Sequence, residues 1–164
     1  MKNIATTFMV MILALSSAFA KDRVSPHTTV KGDHMSVTYG QPSKKGREIF
    51  GKLVPYGQVW RTGADEATEI TFDKDCVFGG KQIKAGTYAL FTIPDKDEWT
   101  IILNSKLGEW GAFSYESNKD KDVARVTVKP VHINNTVEQF TIMVSTAGLK
   151  MQWDNTVVNI PAQF

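Results

Sequence analysis

The sequence predicts an all-β fold, an antiparallel sandwich of jelly-roll or immunoglobulin-like type with roughly eight or nine strands and little helix. Three observations predict it. Apolar residues recur with period two, as in Ile70 and Phe72 against Glu69 and Thr71, and in Ala124, Val126 and Val128 against Arg125 and Thr127. Turn-forming clusters, Gly79-Gly80, Asp95-Lys96-Asp97, Ala147-Gly148 and Asp154-Asn155, separate these runs at hairpin spacing. Long amphipathic helices between strands, the mark of a parallel α/β sheet, are absent from the pattern.

Each element has its own justification. Residues 21–33, with Ser25-Pro26 and two threonines, read as an extended leader into a first strand at 35–39. Residues 68–72 alternate and form a half-buried strand. The run from Gly86 to Ile93 is apolar on both faces, as a central strand must be, and Pro94 ends its ladder because it has no N–H to donate. Residues 99–103, 124–128, 140–144, 149–153 and 156–160 complete the set. Helix is confined to short turns near 44–50 or 107–115. Residues 34–164 form a single domain without an internal repeat.

The N-terminus directs the chain out of the cytoplasm. Lys2 precedes an uncharged, mostly apolar run from Ile4 to Phe19, and Ala18-Phe19-Ala20 is a small-x-small cleavage site ahead of Lys21-Asp22-Arg23. Residues 1–20 therefore read as a signal peptide cleaved after Ala20. The apolar run falls short of the about 20 residues that span a bilayer, so no membrane span is expected after processing. The single cysteine, Cys76, lies far from the cleavage site, and the lipoprotein attachment pattern is missing. The expected location is the periplasm or the medium. One cysteine permits no internal disulfide, and beside Val77 and Phe78 it reads as a small core residue. With 19 Lys+Arg against 17 Asp+Glu the charge is nearly balanced, which gives no nucleic-acid footprint.

Familiar catalytic and metal signatures are lacking. Asp-Lys-Asp occurs at 73–75, 95–97 and 120–122, but a calcium site wants around 6–8 oxygen ligands, so these triplets read as solvated turns. His27, His34 and His132 have no zinc spacing. No Gly-x-Ser-x-Gly elbow and no phosphate-cradling glycine loop is present. No metal and no cofactor is expected.

The densest chemistry is the segment Pro55-Tyr56-Gly57-Gln58-Val59-Trp60-Arg61-Thr62-Gly63-Ala64-Asp65-Glu66. If 58–62 is extended, Trp60 and Arg61 face opposite ways. Should Arg61 enter the core with Val59, it must meet a carboxylate, because an unpaired buried charge costs several kcal/mol; Asp65, Glu66 and Glu69 are the candidates. One reading is an Arg61–Glu66 ion pair that pins a loop to the sandwich. Another is a ligand pocket in which an aromatic platform and a bidentate guanidinium hold a polar molecule.

Three strings carry a family resemblance: Val37-Thr-Tyr-Gly-Gln-Pro42, Lys45-Gly-Arg-Glu-Ile-Phe-Gly-Lys-Leu-Val-Pro-Tyr-Gly57 and Val59-Trp-Arg-Thr-Gly-Ala-Asp-Glu-Ala-Thr68. With 86–94, the Trp99 strand, Trp110-Gly111, Tyr115, 122–125 and the Trp153 strand, they make residues 35–162 resemble DUF2911, a family of exported bacterial proteins classed as a domain of unknown function. The resemblance implies an exported β-rich domain and brings no reaction, substrate or cofactor. Members often carry asparagine at the position of Asp65, which shifts weight to Arg61 and Glu66.

Three functions are expected to compete. The first is a non-catalytic cell-envelope module that binds a small polar or carbohydrate-like ligand through Tyr39, Arg47, Trp60, Arg61 and Glu66. The second is a hydrolase or lyase using Glu66 and Arg61; adjacency of Asp65 and Glu66 prevents them from flanking one bond as glycosidase carboxylates do. The third is a structural or partner-docking domain without a small-molecule site. Oligomeric state is left open.

Overall fold

A computed structural model of the protein describes residues 22–164. The signal-peptide reading falls on residues 1–20, outside the described residues. Ten strands form two antiparallel sheets, as the period-two pattern requires. They are β1 (His27–Lys31), β2 (Met35–Gly40), β3 (Thr68–Phe72), β4 (Cys76–Phe78), β5 (Lys81–Ile83), β6 (Gly86–Ile93), β7 (Trp99–Asn104), β8 (Asp122–Val128), β9 (Val131–Ser145) and β10 (Gly148–Gln163). One sheet has the order β1-β2-β3-β6-β7-β8 and the other β5-β4-β10-β9. Among the described residues helix is limited to one turn, α1 (Tyr115–Asn118), continued by a 3-10 turn at Lys119–Lys121. Among the described residues no helix is long and apolar enough to cross a membrane.

Alternation sends one side chain of each pair to the core between the sheets. Ile70, Phe72, Leu90, Ile101 and Leu103 from the larger sheet meet Phe140, Ile142, Met151, Trp153 and Ile160 from the smaller. The opposite side of β6 and β7 is also apolar. Ala89, Phe91 and Ile102 there pack with Tyr115 of α1, so these two strands are covered on both faces. Tyr39 spans the sheets as a strut: its hydroxyl accepts the Ile142 backbone N–H at 2.8 Å, and its ring meets Phe140 edge-on. Cys76 is buried, and burial followed by the neighbouring Asp75 charge pushes its thiol up.

Several elements depart from the sequence expectation. Residues 27–31, read as leader, pair with β2 as an edge strand. The Gly79-Gly80 turn closes a three-residue hairpin of β4 and β5, with φ of 56° and 82° suited to glycine in a two-residue turn. Residues 149–153 and 156–160 belong to one strand. Asp154 adopts a φ of 51° at an irregularity in the β9–β10 pairing, so the Asp-Asn signal marks a bulge rather than a turn. The third Asp-Lys-Asp triplet is also not simply solvated. Asp122 receives hydrogen bonds from Tyr115 at 2.6 Å, Asn104 at 2.8 Å and Arg125 at 3.0 Å.

The long β2–β3 connection, residues 41–67, crosses one end of the sandwich and is tied to both sheets. On the smaller sheet, Phe140 N–H donates to Pro42 O, Lys44 N–H to Glu138 O, and Lys44 Nζ meets Asp154 Oδ2 at 2.7 Å. On the larger sheet, Trp60 and Thr92 exchange both backbone hydrogen bonds, at 2.7 and 3.0 Å, and Gly57 N–H reaches Pro94 O. Between these ties the Trp60 indole stacks on Trp153, with centroids 5.9 Å apart and planes at 18°, and meets Phe140, Phe50 and Trp99 edge-on. Its Nε1 donates to Gly63 O at 3.1 Å, so the ring is packed and its polar atom is satisfied. Trp60→Ala removes the common member of this cluster, and urea unfolding should register a loss of about 3 kcal/mol, at the lower end for aromatic truncation because Trp60 is only half-buried.

Candidate functional site

The residues after Trp60 are not extended. Thr62 and Asp65 take φ of 57° and 63°, a left-handed conformation that costs on the order of 1–3 kcal/mol in a non-glycine residue. Local bonds hold the strained turns. The buried Thr62 hydroxyl donates to Thr92 Oγ1 at 3.1 Å, and Thr68 Oγ1 donates to Thr62 O at 2.7 Å. Because the chain turns twice, side-chain facing cannot be counted by alternation here, and Trp60 and Arg61 line the same cleft.

That cleft has a volume of about 530 Å³, within the usual range for small-molecule sites. Its walls carry Lys45, Arg47 and Arg61 as cations, the Trp60 and Trp153 side chains, and Asp65 as the one acid. Arg47 is exposed and oriented by its own loop, donating from Nε to Lys44 O at 3.0 Å and from Nη2 to Ser43 O at 2.6 Å. Arg61 is half-buried, and its Nε donates to Gly63 O at 3.4 Å. Among the described residues no carboxylate lies within ion-pair distance of Arg61. Asp65 does not compensate it. Its carboxylate, buried at the base of the cleft, accepts the backbone N–H groups of Val24 at 3.2 Å and Ser25 at 3.1 Å. The electrostatic character of the cleft is therefore cationic, with unused guanidinium donors beside apolar faces.

The expected Arg61–Glu66 pair does not form. Glu66 leaves the left-handed turn on another side and meets Arg23 at 2.8 Å and His27 Nε2 at 3.0 Å. The His27 contact lacks hydrogen-bond alignment, while its Nδ1 lies 3.0 Å from Ser25 O. Asp65 and Glu66 together thus hold the N-terminal segment 23–27 against the loop, one through backbone amides and the other through side chains. Of the five candidate residues, Arg47, Trp60 and Arg61 share the cleft. Glu66 lines a separate hollow with Arg23 and His27. Tyr39, 2% exposed, has its hydroxyl engaged in the core. Sequence reasoning missed Lys45, Trp153 and the Arg23 contact. Lys45 and Trp153 stand within the strings that carry the family resemblance, but nothing local links Arg23 to Glu66 across 43 positions.

No group of three or more His, Cys, Asp or Glu side chains is placed to hold a metal among the described residues. Burial raises the Glu66 pKa, but the hydrogen bond from Arg23, a backbone hydrogen bond and the charges of Arg23 and His27 outweigh it and hold the carboxyl below its ordinary value. A depressed acid stabilises the folded state above its unfolded pKa, and that contribution is lost as pH falls through the folded value. A carboxyl NMR titration of Glu66 should therefore show a low midpoint that rises toward the ordinary carboxylate value in Arg23→Gln; equal midpoints would contradict the pairing.

The sequence model of a family described as "Protein of unknown function (DUF2911)" matches residues 21–162. No curated protein and no solved structure matches the chain. The match extends across all ten strands but the last residue of β10 and includes the loop that builds the cleft, and on that basis the chain belongs to the DUF2911 family.

Proposed function

We propose that the protein is a non-catalytic binding module of the cell envelope that holds a small anionic ligand, a carboxylate or acidic sugar, in the cleft under loop 41–67. The observation that carries this reading is the Arg61 guanidinium, half-buried at the cleft wall with, among the described residues, a single long hydrogen bond to Gly63 O and no carboxylate partner. A guanidinium presents a rigid fork of donors that matches a carboxylate bidentately. Arg47 and Lys45 add charge of the same sign, and Trp60 and Trp153 supply apolar faces for the ligand body. The loop is fastened before any ligand arrives, so little ordering cost opposes binding. A hydrolase or lyase built on Arg61 and Glu66 lacks this support, since the two residues line different hollows and the cleft's one acid is occupied by Val24 and Ser25.

Titration calorimetry with citrate, glucuronate and glucose tests the proposal. The two acids should bind and glucose should not, and Arg61→Gln should weaken binding by about tenfold or more, the value of a charged hydrogen bond. The same variant should leave stability within about 0.5 kcal/mol, because no ion pair is broken. Equal binding of glucose, or unchanged affinity in Arg61→Gln, would contradict it.

A further inference from the structure

Beside the cationic cleft lies a second groove of about 280 Å³, lined mainly by Leu53, Val54, Pro55, Val59 and Phe113. The two are continuous. Leu53, Val54, Trp60 and Arg61 line both, so the Arg61 guanidinium stands at the junction of a charged and an apolar compartment. Phe113 is 83% exposed and Leu53 44% exposed at the rim, an unusual outlay of large apolar surface beside an unpaired cation. Gly111 allows the two to meet. At a φ of 71°, its backbone lies under both side chains: a Cβ there would stand 2.8 Å from a Phe113 ring carbon and 3.1 Å from Arg61 Nη1. Any side chain at 111 would be strained and would push the ring and the guanidinium aside.

Resting on the anion-site reading, we infer that the ligand is amphiphilic: a free aliphatic carboxylate whose head pairs with Arg61 and whose tail lies in the groove between Leu53 and Phe113. Charge complementarity decides the head, because the junction offers a cation and no acid. The groove decides the tail, because Leu53, Val54, Pro55, Val59, Ala112 and Phe113 give an alkyl chain mainly apolar partners, with Gln58 the one uncharged polar side chain in the lining. The net charge of only +2 gives the chain no strong overall attraction to an anionic membrane, which favours a free acid over a lipid headgroup.

Calorimetry on the processed protein with acetate, butanoate, octanoate, octanol and octylammonium tests this. Affinity should rise by about tenfold per pair of buried methylenes from acetate to octanoate, and octanol and octylammonium should bind at least tenfold more weakly than octanoate. Phe113→Ala should weaken octanoate and leave acetate unchanged, whereas Arg61→Gln should weaken both. Acetate binding as tightly as octanoate would overturn the amphiphile and leave the anion site standing. Octanol equal to octanoate would overturn it as a charge-blind apolar groove. Binding of the protein to phosphatidylglycerol vesicles without binding of free octanoate would overturn the free-acid assignment. Binding of none of the acids, citrate included, would remove both readings.

Discussion

The Trp60 indole packed on Trp153 is the contact on which the rest of the structure depends. Residues 41–67 are a long connection that Ile49, Phe50 and Val54 anchor in its first half, and its second half needs an anchor of its own because long loops are costly to hold in one conformation. Trp60 brings it into the aromatic cluster of Trp153, Phe140, Phe50 and Trp99, and its backbone joins β6 through Thr92. Both sheets therefore contribute to one seat: Phe140 and Trp153 come from the smaller, Trp99 and Thr92 from the larger. Arg61 follows in sequence, so seating Trp60 also sets where the guanidinium emerges. The strained turns at Thr62 and Asp65 are sustained because the surrounding bonds leave the backbone no relaxed alternative.

This arrangement sorts the charges of the segment into two groups. Asp65 and Glu66, the obvious partners for an arginine, both turn to residues 23–27 and are satisfied there. Arg61, Arg47 and Lys45 are left facing a cleft. A fold needing only an ion pair to secure its loop would have closed Arg61 on Glu66. Here aromatic packing secures the loop instead, and Lys44 on Asp154 adds a second tie at the other side. The guanidinium is thereby released from an ion-pairing task and stands where the cleft meets the Phe113 groove.

Much of the fold was legible from side-chain alternation. β3 and β6 fall on residues 68–72 and 86–93, as read, because their apolar pattern and flanking Pro94 and Gly86 leave little choice. β1 was not legible as a strand since its side chains are mostly at an exposed edge, and β4 and β5 are too short to show a period. The break at Asp154 failed for a different reason: an aspartate can take a left-handed φ inside a bulged strand as readily as in a turn. For the candidate cleft, the sequence showed which residue types crowd together but not how they pair. Arg47, Trp60 and Arg61 of the five candidates line one cleft, whereas the Arg61–Glu66 pair does not form because the chain turns at Thr62 and Asp65 and Glu66 meets Arg23 and His27. Tyr39 has the residue type of a ligand contact, but strand parity turns it inward to Ile142.

Amide hydrogen exchange in the wild type and in Trp60→Ala measures the central claim directly. If the indole seats the loop, the Gly57 and position-60 amides, which donate to Pro94 O and Thr92 O, and the Thr92 amide, which donates to residue 60, should lose protection in the variant, while the Phe91 and Ile93 amides, which face β7, keep theirs beyond the loss of global stability. Loop amides that stay as protected as the β6–β7 ladder in the variant would show that the cleft is held by something other than Trp60.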